Sequence, residues 1–77
     1  MAIGTSKHYN SFKIIGNNIR VMRKKLHLSQ EQLAFKLNSA RNYIGCIERA
    51  EKTPSLDFLF SIAEILECSV IDLFKNI

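Results

Sequence analysis

The chain predicts an all-α fold of five short helices, on three observations. Apolar residues recur at helical spacing in successive segments, among them Ile15 and Ile19, Leu33, Ala34 and Leu37, Ile44 and Ile47, and Leu59, Ile62, Ala63 and Leu66. Ser29, Ser55 and Ser69 stand just ahead of such segments, where unpaired first-turn amides call for a side-chain acceptor. One proline and three glycines in 77 residues are too few breakers for a β-rich or disordered chain. That length makes one domain of modest stability, with room to lean on a partner subunit.

Residues 1–10 are polar without periodicity and read as a flexible lead-in to a domain at 11–77. The first helix is expected from Ser11 or Phe12 to Lys25, burying Ile15, Ile19, Met22 and Leu26, with Arg20, Lys24 and Lys25 off that stripe. A turn follows at His27. Ser29 then caps the second helix, and Gln32 three residues on completes a capping box. That helix ends near Leu37. Asn38 next takes the left-handed conformation that a sharp reversal needs and few residues except glycine tolerate. The third helix is expected from about Ala40 to Arg49, and Lys52-Thr53-Pro54 form a loop. The fourth starts at Ser55 with Leu56, Leu59, Ile62, Ala63 and Leu66 inward. The fifth opens at Ser69, with Asp72 as box partner, and carries Val70, Leu73 and Phe74 inward.

Charge is unevenly divided. Residues 1–52 hold ten Lys and Arg against Glu31, Glu48 and Glu51, which leaves +7. Residues 53–77 hold Lys75 against Asp57, Glu64, Glu67 and Asp72, which leaves −3, and the two add to the net +4. A polyanion is therefore drawn to the amino-terminal two-thirds. No apolar run reaches the roughly 18 residues of a membrane span, and no secretory signal is apparent. Cys46 and Cys68 form no disulfide framework, and neither they nor His8 and His27 have metal-ligand spacing, so no metal or cofactor is expected. A reducing cytoplasm fits best. The carboxylates are scattered, neither histidine has a nucleophile beside it, and no glycine-rich phosphate loop exists, so neither catalysis nor a small-molecule ligand is expected.

The third helix carries the chemistry. Ile44 and Ile47 form its inward edge, which leaves Arg41, Asn42, Tyr43 and Cys46 outside. Arginine presents a planar fork of donors and asparagine an amide with donor and acceptor, the groups that read guanine and adenine edges in the major groove of double-stranded DNA. Arg41 is the candidate for guanine and Asn42 for adenine; Tyr43 and Cys46 lie near enough to touch a base or to pack beside one. Gln30, first after the Ser29 cap, sits at the positive end of the second helix and suits a phosphate oxygen. Ser39, Arg49 and Lys52 join it as phosphate contacts.

Taken together, Ile19–Arg23, the run from Leu28 to Ala34, Tyr43-Ile44, Ile47-Glu48-Arg49, Pro54-Ser55-Leu56 and Ser69–Phe74 make the chain from about Phe12 to Phe74 resemble the phage repressor and Cro-like (XRE-type) helix-turn-helix family. The resemblance implies a compact five-helix repressor-like domain that binds a palindromic operator as a homodimer. It implies a structural ion pair between Arg23 and Glu48, locking the first helix to the third, and a phosphate role for Gln30. It leans towards the controller protein of a restriction–modification operon, with a phage-type repressor or an autoregulating antitoxin as alternatives. The chain departs from the family at three places. Ala40 replaces a serine or threonine cap, Ala50 replaces a glycine, and Gly45 lies inside the reading helix, where close approach of the backbone to DNA would explain it.

Phe58, Phe60, Ile71 and Ile77 fall off the inward stripes of the last two helices and, with Phe74, form the expected dimer interface. The competing function is a protein-interaction module or antitoxin that captures a protein partner on this same apolar face.

Overall fold

The computed structural model describes residues 7–77, and its helices among them are α1 (Tyr9–Lys25), α2 (Gln30–Lys36), α3 (Arg41–Glu48), α4 (Leu56–Ile65) and α5 (Val70–Leu73). The order and number match the expected architecture. α1 starts two residues ahead of Ser11, so Tyr9 and Asn10 belong to the helix and not to a lead-in. The half-buried Tyr9 ring lies under Lys13 Nζ, 5.8 Å from its centroid, and supports this extra turn. The part of the expected lead-in at residues 1–6 lies outside the described residues.

Local chemistry sets the starts. Ser29 Oγ accepts the Gln32 N–H at 3.0 Å while Gln32 Oε1 accepts the Ser29 N–H at 2.8 Å, closing the box around α2. At α5 Asp72 Oδ2 accepts the Ser69 N–H while Ser69 Oγ accepts the Ile71 N–H, and Ser55 caps α4 through the Phe58 N–H. Ala40 caps α3 with no side-chain bond, and Ser39 does not replace it.

Four helices stop in the same way. His27, Asn38, Ala50 and Glu67 take φ of 58°, 55°, 59° and 58°. The next N–H in each case turns back five residues, from Leu28 to Arg23, Ser39 to Ala34, Glu51 to Cys46 and Cys68 to Ala63. This closes the orphan carbonyls of each last turn. None of the four is glycine, so each reversal is made against the Cβ clash that disfavours left-handed backbone.

The core is a single cluster with Ile19, Leu33, Ile44, Ile62 and Leu73 at its centre. α2 and α3 pack on each other, and α1 crosses α3 where Gly16 leaves no side chain between them. A Cβ on Gly16 would stand 2.5 Å from the Ile47 carbonyl oxygen and 2.6 Å from that of Glu48. At the other side of α1, Asn18 Nδ2 donates to the carbonyls of Leu73 at 2.9 Å and Lys75 at 3.0 Å, tying the end of α5 to α1.

Three expectations about burial are corrected. Leu26 and Leu56, each at a helix end, are exposed. Phe58 is half-buried against Tyr43, while Phe74 packs half-buried on the core as an inward residue. Phe60, Ile71 and Ile77 are 54%, 70% and 59% exposed, so the outward apolar face is smaller than expected and gains Leu56. Among the described residues no helix is long and apolar enough to cross a membrane.

Candidate nucleic-acid interface

α3 is held from behind by a charged cluster. Arg23, on α1, donates through Nε to Glu48 Oε2 at 2.7 Å and through Nη2 to Glu48 Oε1 at 3.1 Å. Its remaining arm, Nη1, donates to the Leu28 carbonyl at 2.7 Å. The side chains are 8% and 3% exposed, so this is a buried pair with two-pronged geometry, as the Arg23–Glu48 expectation had it. Glu48 Oε1 also accepts from Gln30 Nε2 at 3.0 Å. One carboxylate thus ties α1, the start of α2 and the end of α3 together.

With its rear fixed, α3 turns Arg41 and Asn42 outward on its first turn, both exposed. Ser29, Gln30 and Glu31 share a shallow cleft with Arg41 and Arg23, which places the amino end of α2 beside the head of α3. Backbone N–H groups in a helix's first turn lack intrahelical partners and carry the positive end of the dipole. The cleft therefore combines oriented amides with a guanidinium. Gln30 enters it with one amide hydrogen committed to Glu48 and its second remaining.

The other predicted contacts are placed less simply. Tyr43 is half-buried, its ring 5.3 Å from that of Phe58 at 57°, so it packs on α4. Cys46 is half-buried, with Arg49 Nη2 3.9 Å from its sulfur. The half-buried Ser39 uses its backbone N–H to close the end of α2, at 2.8 Å from the Ala34 oxygen. Lys52 is exposed in the loop after α3. Arg49 does not stand free: it pairs with Glu51, Nε to Oε2 at 2.9 Å and Nη2 to Oε1 at 3.1 Å.

Gly45 is buried, and a Cβ there would meet Arg49 Nη1 at 3.0 Å and Gln30 Oε1 at 3.5 Å. Its small size makes room for the folded-back Arg49 side chain. Cys68 is half-buried beside Asp72, and burial first, then the carboxylate, pushes its thiol above the ordinary range, which suits an inert packing residue.

Gly16, Asn18 and Glu51 escaped sequence reasoning. The first had a signal, a glycine in the middle of a helical pattern, which often marks close approach of another backbone.

A helix-turn-helix family model, HTH_3, matches residues 19–73. The control protein C.SmaI of Serratia marcescens is 41% identical over 58 residues, 75% of this chain and 69% of that protein. The solved structure of the restriction-modification controller protein C.AhdI from Aeromonas hydrophila superposes with a TM-score of 0.82 at 33% identity, covering 86% of this chain and 100% of the other. SinR, the master regulator for biofilm formation solved in complex with DNA, gives a TM-score of 0.71 at 37% identity over 77% of this chain and 95% of that one. The chain belongs to the helix-turn-helix (HTH_3) family of DNA-binding transcription regulators.

Proposed function

We propose that the protein binds a palindromic operator as a homodimer and acts as the controller of a restriction–modification operon. One observation carries the DNA geometry: Arg41 and Asn42 stand exposed on the first turn of a helix whose opposite side is fixed by the buried Arg23–Glu48 pair. In this motif the first-turn side chains meet base edges, while the start of the preceding helix meets the backbone. Arg41 reads guanine and Asn42 adenine; Gln30, Ser39, Arg49 and Lys52 face phosphates, and Tyr43 and Cys46 flank the base contacts. The exposed Leu56, Phe60, Ile71 and Ile77 form the apolar face through which two copies pair. A two-fold pair sets the α3 helices about 34 Å apart, one turn of duplex. The controller reading is supported by the similarity to C.SmaI and C.AhdI.

Selection of bound duplexes from a random pool, repeated with Arg41→Ala, tests this reading. A two-fold symmetric site is expected, and the variant loses one base preference per half-site. Binding without a symmetric site, or a site unchanged by the substitution, refutes it. A selected site lying upstream of the protein's own gene in a restriction–modification operon supports the controller role, and its absence there removes it.

A further inference from the structure

Arg49 is the last positive side chain at the carboxyl end of α3, and its guanidinium is already occupied. Both oxygens of Glu51, two residues on, face the Nε and Nη2 edge of its fork at 2.9 and 3.1 Å. That edge also suits a phosphate, because carboxylate and phosphate both present two oxygens to the same pair of donors. Three features hold the arrangement. The left-handed backbone at Ala50 turns the chain so that Glu51 comes back beside α3, and the Glu51 N–H bonds the Cys46 carbonyl at 2.7 Å. Gly45 leaves the space into which the guanidinium folds. Cys46 sulfur stands 3.9 Å from Nη2 and flanks the same group.

From this geometry we infer that Glu51 is an intramolecular stand-in for DNA phosphate that occupies Arg49 and attenuates DNA affinity. The inference rests on the phosphate role proposed above for Arg49. Both side chains are more than half exposed, so solvent reaches the pair and a phosphate can displace the carboxylate by exchange. The hydrogen bonds and charge of each partner raise the Arg49 pKa and lower that of Glu51, so the pair stays ionised at neutral pH. A phosphate that takes the Nε and Nη2 edge must displace Glu51, and one bound at the open Nη1 end meets a guanidinium whose charge Glu51 already offsets. The released carboxylate is then left close to the polyanion. Glu51 therefore weakens binding without reading any base: it tunes how tightly the protein holds DNA and how strongly salt affects that hold.

The test compares the full chain, Glu51→Gln, Arg49→Gln and the double variant on two probes: a duplex recovered by the selection above and a scrambled duplex of the same length. Glutamine keeps the shape of Glu51 but loses the charge that competes with phosphate. Glu51→Gln is expected to tighten binding about two- to fivefold for each Arg49 engaged, the range of an exposed pair. The gain should be equal on both probes, and the dependence of log affinity on log salt should steepen by about one for each subunit. In the Arg49→Gln background most of the gain should vanish. Unchanged or weaker binding by Glu51→Gln overturns the inference, since Glu51 would then position Arg49 instead of withholding it. A gain equally large without Arg49 also overturns it, as general charge would account for the effect. If the unaltered chain binds neither duplex, the DNA reading of Arg49 falls and the inference with it; binding by the unaltered chain with no gain in the variant sinks the inference alone.

Discussion

Gly16 of α1 lies so close to Ile47 of α3 that a single added carbon would stand 2.5 Å from the Ile47 carbonyl oxygen. Both sides of this contact are backbone within helices, so neither can step aside. Gly16→Ala is expected to destabilise the domain by about 2–3 kcal/mol, the scale of overpacking in a tight interior. Gly45→Ala should act oppositely. Its nearest neighbour is the mobile end of Arg49, and the helix-propensity gain of about 0.5–1 kcal/mol outweighs a small shift there. Urea unfolding of both variants checks the signs, and equal losses would contradict the account.

Removing one member of the Arg23–Glu48 pair leaves a buried charge without its partner. Glu48→Ala is expected to cost about 3–5 kcal/mol, a large share of the stability of so small a domain. The joint replacement Arg23→Met with Glu48→Leu should cost far less, because no orphan charge remains. A double-mutant cycle by chemical denaturation separates the two cases.

Glu67 ends α4 with φ of 58° and an exposed side chain, so its Cβ strains the turn and contributes no burial. Glu67→Gly should stabilise the domain by about 1 kcal/mol and raise the melting temperature by roughly 4–8 °C. Ala50→Gly should gain less, since Ala50 is buried and its methyl contact is lost. Thermal unfolding of the two variants distinguishes them.

The Asp72 carboxylate accepts the Ser69 N–H at 3.0 Å and pairs with Lys75 at 3.2 Å, and these contacts, the backbone bond first, hold its pKa below the ordinary 3.8. A depressed folded-state pKa means that its contribution is fully present above the unfolded value and disappears as pH falls through the folded one. Asp72→Asn should lower the melting temperature near neutral pH and flatten its fall between about pH 5 and 2. Parallel melting curves for the two proteins across that range would show that the box carries no acid-sensitive stability.

Local chemistry was legible in the residues. The Ser29–Gln32 and Ser69–Asp72 boxes span only three positions, so spacing alone reveals them. Asn38 was readable as a reversal because asparagine tolerates left-handed backbone; Glu67, with no such preference, was not. Periodicity placed Arg41 and Asn42 on an exposed first turn, but it cannot say where a neighbouring helix stops, which is why Leu26 and Leu56 were placed inside. Nor can it distinguish Phe58, which lies against Tyr43, from Phe60, which faces out. Arg49 and Glu51 meet across a turn, where helical spacing no longer applies.

α1 touches both working ends of the molecule. Gly16 and Arg23 fix it to α3, while Asn18, between them in sequence, fixes it to the closing residues of α5. One 17-residue helix therefore fixes α3, which carries Arg41, relative to the closing residues of α5. Under the pairing proposed above, that rigid link presets how far apart two copies of α3 stand.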